Sequence, residues 1–214
     1  MTTLTTDVIR AGAPIGAARA AVVLVHGRGA SAESMLGLAD AFAAPDLAYI
    51  VPQAPSGSWY PHSFMAPTML NEPHLSNALS TLAHVVDDLG QQGIPAERVV
   101  LLGFSQGACL ALEFAARNAR RYGGVVGLSG GLIGPEGTPR NYTGALAGTP
   151  VFLGCSDVDS HIPLARVHES TDVLRALGGD VTEKIYPGMG HTIVQDEIDH
   201  VKKILRRIGA PTDR

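Results

Sequence analysis

Val99-Val100-Leu101-Leu102-Gly103-Phe104-Ser105-Gln106-Gly107-Ala108-Cys109-Leu110-Ala111-Leu112 decides how this chain reads. The apolar run before Gly103 has the character of a buried strand, and the small-residue stretch after Ser105 that of a helix. Between them lies G-x-S-x-G. A serine at a strand-to-helix turn must hold a strained backbone so that its hydroxyl points out of the turn. Glycines two residues to either side remove the Cβ atoms that would keep strand and helix apart. The new helix brings free N–H groups to the same point. The pattern alone is weak, because glycine-rich turns around serine arise by chance. The strand before it and the helix after it make it a nucleophile elbow.

Outward from this turn, strands and helices alternate without an internal repeat. Strands are expected at Thr5–Arg10 (an edge), Ala20–His26, Leu47–Pro52, Val99–Leu102, Gly124–Leu128, Pro150–Cys155 and Val181–Tyr186. Helices are expected from Ser31, an N-cap candidate, to about Ala43, and over His74–Gln91, Gln106–Asn118, Pro163–Leu177 and Ile193–Ile208. Alternation of this kind implies a mostly parallel sheet of about six to seven strands with helices on both faces. The whole chain, 1–214, reads as one domain with no large cap. Two long stretches fit no element: Gln53–Pro73, rich in proline and large apolar groups, and Ser129–Thr149, rich in glycine and proline. Loops of that length are usually functional, and both leave the carboxyl ends of strands, where ligands bind in open α/β sheets. The segment 53–73 is expected to line a pocket or act as a lid.

Bulk properties narrow the function. With 214 residues, 45% hydrophobic and 17% charged, the chain can bury a substantial core. A net charge of −4 argues against a nucleic-acid binder. Neither a secretory signal nor a membrane-spanning run is visible, and Cys109 and Cys155 make no disulfide or metal framework. A reducing, cytoplasmic setting is therefore expected, with no cofactor and no metal. The partner is a small-molecule substrate, and a homodimer is left open. The cations Lys202, Lys203, Arg206 and Arg207 sit late in the last helix and the acids Asp196, Glu197 and Asp199 early, as the helix dipole favours.

A serine hydroxyl needs a base within reach, and the base needs an acid to fix its tautomer. His191 follows the last strand through Pro187-Gly188-Met189-Gly190 and is the expected base. His84, His168 and His200 lie on helices and read as solvated. Two aspartates, Asp157 and Asp159, follow the strand Pro150–Cys155, and spacing does not choose between them. His161, beside them, is a candidate substrate contact. An oxyanion hole needs two N–H donors. Gln106 N–H is one, and Arg28 N–H, in the loop His26-Gly27-Arg28-Gly29-Ala30, is the other. The Arg28 side chain reads as solvated or as a contact to an acidic substrate group, and His26 as a brace for its loop. Trp59, Tyr60 and Phe64 are candidates to wall an apolar substrate pocket.

Taken together, these residues resemble the carboxylesterase/phospholipase branch of the α/β-hydrolases, which includes acyl-protein thioesterases and small bacterial esterases. His26-Gly27-x-Gly29 resembles its oxyanion loop, Gly103-Phe104-Ser105-Gln106-Gly107-Ala108 its elbow, Asp159-Ser160-His161-Ile162-Pro163 its acid motif and Gly190-His191 its histidine motif. The resemblance covers most of the chain and favours Asp159 over Asp157. It implies a serine hydrolase cleaving carboxylic esters through an acyl-enzyme with Ser105, His191 and Asp159. Trp59-Tyr60-Pro61-His62-Ser63-Phe64 is closer to a bacterial subgroup than to the thioesterases. Thioesterase or lysophospholipase activity with the same groups is the alternative. A ligand-binding protein on a retired hydrolase fold is the alternative from another class.

Overall fold

The computed structural model describes residues 7–208. Its centre is one seven-stranded sheet. In chain order the strands are β1 (Val8–Gly12), β2 (Ala20–Val25), β3 (Leu47–Pro52), β4 (Val99–Phe104), β5 (Gly124–Leu128), β6 (Pro150–Ser156) and β7 (Asp180–Tyr186). In space they run β1-β3-β2-β4-β5-β6-β7. Only β1 is antiparallel, pairing Ile9 with Val51 on β3, and the other pairs are parallel. The expected edge strand is therefore present but shifted toward Gly12, and Thr5 and Thr6 lie outside the described residues.

β2 to β5 read as continuous apolar runs because both faces of the sheet are covered. On β2, Ala21, Val23 and Val25 face one core, and Ala20, Val22 and Leu24 face the other. The first core takes α2 (His74–Gln91), α3 (Gln106–Arg117) and α4 (Leu164–Ala176). The second takes α1 (Leu36–Phe42) and α5 (Gln195–Arg207) through Ala39, Phe42, Val201 and Leu205. The amphipathic period of α2 buries Leu75, Ala78, Leu82, Val86 and Leu89. α3 is different: every residue from Gln106 to Ala116 is buried, so it is wedged against the sheet centre and fixes the turn that precedes it.

Ser31 does not cap α1. The chain there makes a short 3-10 turn, Glu33–Met35, before the helix begins, with no side-chain cap. The amide of Ala32 is met instead by Oε1 of Gln53, the residue that follows β3, at 2.7 Å. Among the described residues no helix is long and apolar enough to cross a membrane.

Candidate active site

Ser105 sits between β4 and α3 with φ 54° and ψ −119°, a conformation that L residues avoid. The strain is held from both sides: Ser105 N–H donates to Leu128 O on β5 at 2.9 Å, and Ser105 O accepts from Cys109 N–H at 3.0 Å. A Cβ on Gly103 would overlap the Gly107 carbonyl, and one on Gly107 would overlap the Val25 carbonyl on β2. These two glycines let α3 lie directly on β2 and β4, which leaves the serine no room except outward.

Asp159 and His191 arrive from the ends of β6 and β7. His191 Nδ1 lies 2.7 Å from Asp159 Oδ2, and Nε2 lies 2.8 Å from Ser105 Oγ. A carboxylate only accepts, so Nδ1 carries the proton and Nε2 is free to take the serine's. The Asp159 carboxylate is fully buried. Burial opposes its charge, but His191 Nδ1–H and the amides of His161 (2.8 Å) and Ile162 (3.1 Å) outweigh that and hold its pKa below the usual carboxylate value. Asp157 is turned elsewhere: its Oδ1 accepts from Gly188 N–H at 2.8 Å and so ties the acid loop to the histidine loop. The His191 ring is flanked by Phe104 at 5.0 Å and His161 at 4.7 Å between centroids.

The loop after β2 is built on His26, which is fully buried. Its Nε2 accepts from Ala54 N–H at 3.0 Å, so Nδ1 carries the proton to Gly27 O at 2.7 Å. Burial pushes the His26 pKa down, against the opposing pull of the Gly27 carbonyl, and the ring stays a neutral brace. Trp59 closes over it, with Nε1–H donating to His26 O at 2.9 Å. Among the described residues neither Arg28 N–H nor Gln106 N–H has a protein acceptor, and both residues border the same cavity as Ser105.

That cavity, about 450 Å³, is walled by Tyr60, Pro61, His62, Ser63, Phe64, Phe104, Cys109, His161, Ile162 and His191. The volume suits a small organic ligand. Residues 60–64 of the segment 53–73 thus form part of its wall, and Tyr60, Phe64 and His161 all line it. Trp59 does not line it. That ring is spent beneath the wall, 3% exposed, bracing His26. The Arg28 side chain is not simply solvated: its two terminal nitrogens donate to Pro61 O and His62 O. The Gln106 side chain, whose role the sequence reading missed, bonds Trp59 N–H and Tyr60 O. The stretch Ser129–Thr149 stays out of the cavity wall. It is pinned by buried polar side chains instead: Glu113 accepts from Ile133 N–H and Tyr142 Oη–H, and Arg166 donates to Leu132 O and Gly134 O. His200 is partly buried and stacks on Phe152 at 4.9 Å rather than being solvated.

An elbow serine, an imidazole bonded to it and a buried carboxylate behind the imidazole, at the carboxyl ends of a mostly parallel sheet, define an α/β-hydrolase-like protein. The chain belongs to the Phospholipase/Carboxylesterase family, which it matches over residues 7–208. It is similar to the crystal structure of a phospholipase/carboxylesterase from Dyadobacter fermentans, with 43% identity, 97% of this chain and 99% of that one covered, and a TM-score of 0.91. Acyl-protein thioesterase 1 from Gibberella zeae is 38% identical over 117 residues, 54% of this chain and 50% of that protein, so the match spans about half of that relative. Acyl-protein thioesterase 1 from Saccharomyces cerevisiae is 25% identical over 93% of this chain and 97% of its own length.

Proposed function

We propose that the protein is a carboxylesterase-type serine hydrolase that uses Ser105, His191 and Asp159 as its catalytic groups. The unbroken line of hydrogen bonds from Ser105 Oγ through His191 to Asp159, opening on a cavity, carries this reading. Ser105 Oγ attacks the ester carbonyl while His191 Nε2 takes its proton. Asp159 holds the ring and offsets its new charge. The oxyanion is held by the N–H groups of Arg28 and Gln106, donors of a kind worth about 2.7–4 kcal/mol each in the transition state. Collapse expels the alcohol, which takes the proton from His191. Water then repeats both steps on the acyl-enzyme and frees the acid. Tyr60, Phe64 and His161 contact the substrate.

A second reading is hydrolysis of acyl thioesters or lysophospholipids by the same groups; the thioesterase name of both fungal relatives favours the thioesters, and the phospholipase in the family's description the lysophospholipids. Turnover on esters and thioesters of graded chain length, with Ser105→Ala as control, separates the two. Release of short-chain acids that stops in Ser105→Ala supports the first. Activity confined to long-chain thioesters supports the second. A folded protein that neither turns over any of them nor forms a Ser105 adduct with a fluorophosphonate probe would show both wrong and leave a binding protein.

A further inference from the structure

Arg28 lies in the loop after β2 and Gln106 opens α3 after β4, yet their side chains hold one segment. Gln106 Oε1 accepts from Trp59 N–H at 2.9 Å, and Nε2 donates to Tyr60 O at 2.8 Å. Arg28 donates to Pro61 O at 2.7 Å and to His62 O at 2.6 Å. The two side chains therefore grip four consecutive residues, 59 to 62. The segment is held at its ends as well: Gly29 N–H donates to Gly57 O at 2.7 Å, and His62 N–H to Asn71 Oδ1 at 2.8 Å.

The geometry points to a strap. Trp59–His62 links the two oxyanion donors mechanically, and Arg28 and Gln106 act as positioning residues through their side chains while donating through their backbones. The inference rests on the ester-hydrolase reading and deepens it. Residue types fit the task. A guanidinium presents several donors in a rigid fork and serves two carbonyls at once, which a lysine ammonium on a flexible stem does less well. A glutamine amide both donates and accepts, as one N–H and one C=O of the strap require. The other face of the strap is cavity wall, through Tyr60, Pro61 and His62. A bound acyl group that packs on this wall steadies the donors at the moment charge develops. Binding energy from a part of the substrate that does not react is thereby spent on kcat.

The test compares wild type with Arg28→Met, which keeps the backbone N–H and removes the fork, and with Arg28→Lys, Gln106→Met and the double variant. Four quantities are read on a short-chain ester: kcat, KM, affinity for an alkyl trifluoromethyl ketone, whose serine adduct carries an oxyanion, and affinity for the matching methyl ketone. Arg28→Met is expected to lower kcat about tenfold, a fraction of what losing an oxyanion donor outright costs. Trifluoromethyl ketone affinity falls in step, while KM and methyl ketone affinity stay within about twofold. Arg28→Lys recovers part of the loss. The double variant is little worse than the weaker single, because either substitution releases the same strap. Losses that multiply in the double variant, or a change in KM alone, would overturn the strap. Should Arg28→Met fold poorly, an Arg28→Lys protein with wild-type kcat and inhibitor affinity would also count against it. If wild type itself hydrolyses no ester, the underlying reading fails, which is a different result from any of these.

Discussion

Two carboxylates two residues apart divide the work of one loop. Asp159 Oδ2 meets His191, and its Oδ1 takes two loop amides, so both oxygens are committed. Asp157 needs only one acceptor atom, for Gly188 N–H. Asparagine keeps such an atom, so Asp157→Asn should retain most activity. Asp159→Asn replaces the charge that steadies the imidazolium and offers Nδ1–H an amide that can also present its own N–H, giving the wrong tautomer. A loss on the order of 10⁴ in kcat is expected from the corresponding change in serine proteases. Steady-state kinetics on the two variants checks the order, and equal losses would show the assignment wrong. The residues alone left these aspartates open for a physical reason. Both lie in reach after β6, and the choice depends on how the loop turns: Ser156 Oγ accepts from Val158 N–H at 3.0 Å, and the Asp159 side chain is the one that turns inward. Ser105 and His191 were legible because short local patterns place them. The uses of the Arg28 and Gln106 side chains were not, because their partners are main-chain atoms about 30 to 50 residues away.

At the level of elements, α2 and β5 are read correctly to the residue because apolar period and bounding glycine or proline agree. The start of α1 differs from the sequence expectation: a 3-10 turn precedes it, and the Ala32 amide at the head of that turn is satisfied by Gln53, a tertiary contact that no local signal encodes. The elbow depends on close packing of α3, so Gly107→Ala should be strongly destabilising: its Cβ meets backbone of β2, which cannot yield as a side chain would. Chemical denaturation should show a loss of several kcal/mol, or no folded protein, as overpacked core sites do at their worst. α5 offers a pH test. Glu197 is fully buried, with Oε2 accepting Val194 N–H at 2.9 Å and Oε1 without a partner among the described residues. Burial is the main force raising its pKa from 4.5 to about 7; the Val194 amide opposes the rise and the neighbouring Asp196 adds to it. The folded state therefore holds this proton where the unfolded chain has released it. Between pH 4.5 and about 7 the unfolded state binds fewer protons, so the Glu197 contribution to stability falls as pH rises, then levels off. It amounts to on the order of 3 kcal/mol across that window. The Tm of Glu197→Gln relative to wild type should climb by roughly 6–12 °C over the same window. Parallel pH profiles for the two proteins would contradict this.

Across the whole molecule, the sheet gives the three proposed catalytic groups unequal footing. Ser105 follows β4, the central strand, whose residues Val99 to Leu102 have no exposure and which is flanked by β2 and β5. Asp159 follows β6, also paired on both sides. His191 follows β7, an edge strand that is only partly buried along its length. Its loop is tied back by Asp157 to Gly188 N–H and by the hydrogen bonds of the imidazole itself. Backbone amides open with a free energy that tracks such burial and pairing. Amide hydrogen exchange should therefore be slowest in Val99–Phe104 and Gly124–Leu128, at rates set by global unfolding. In residues 187–192 it should be faster by several orders of magnitude. Asp157→Ala removes one of the ties and should speed exchange in 187–192 further while leaving β4 unchanged. A fluorophosphonate adduct on Ser105 should slow that loop, because the adduct's oxygens engage His191. Under the proposed function, the sheet then supplies a fixed nucleophile and a base that settles into place on a loop held by a few polar contacts. Equal protection of the β4 and 187–192 amides would show instead that the histidine loop opens only when the whole molecule does.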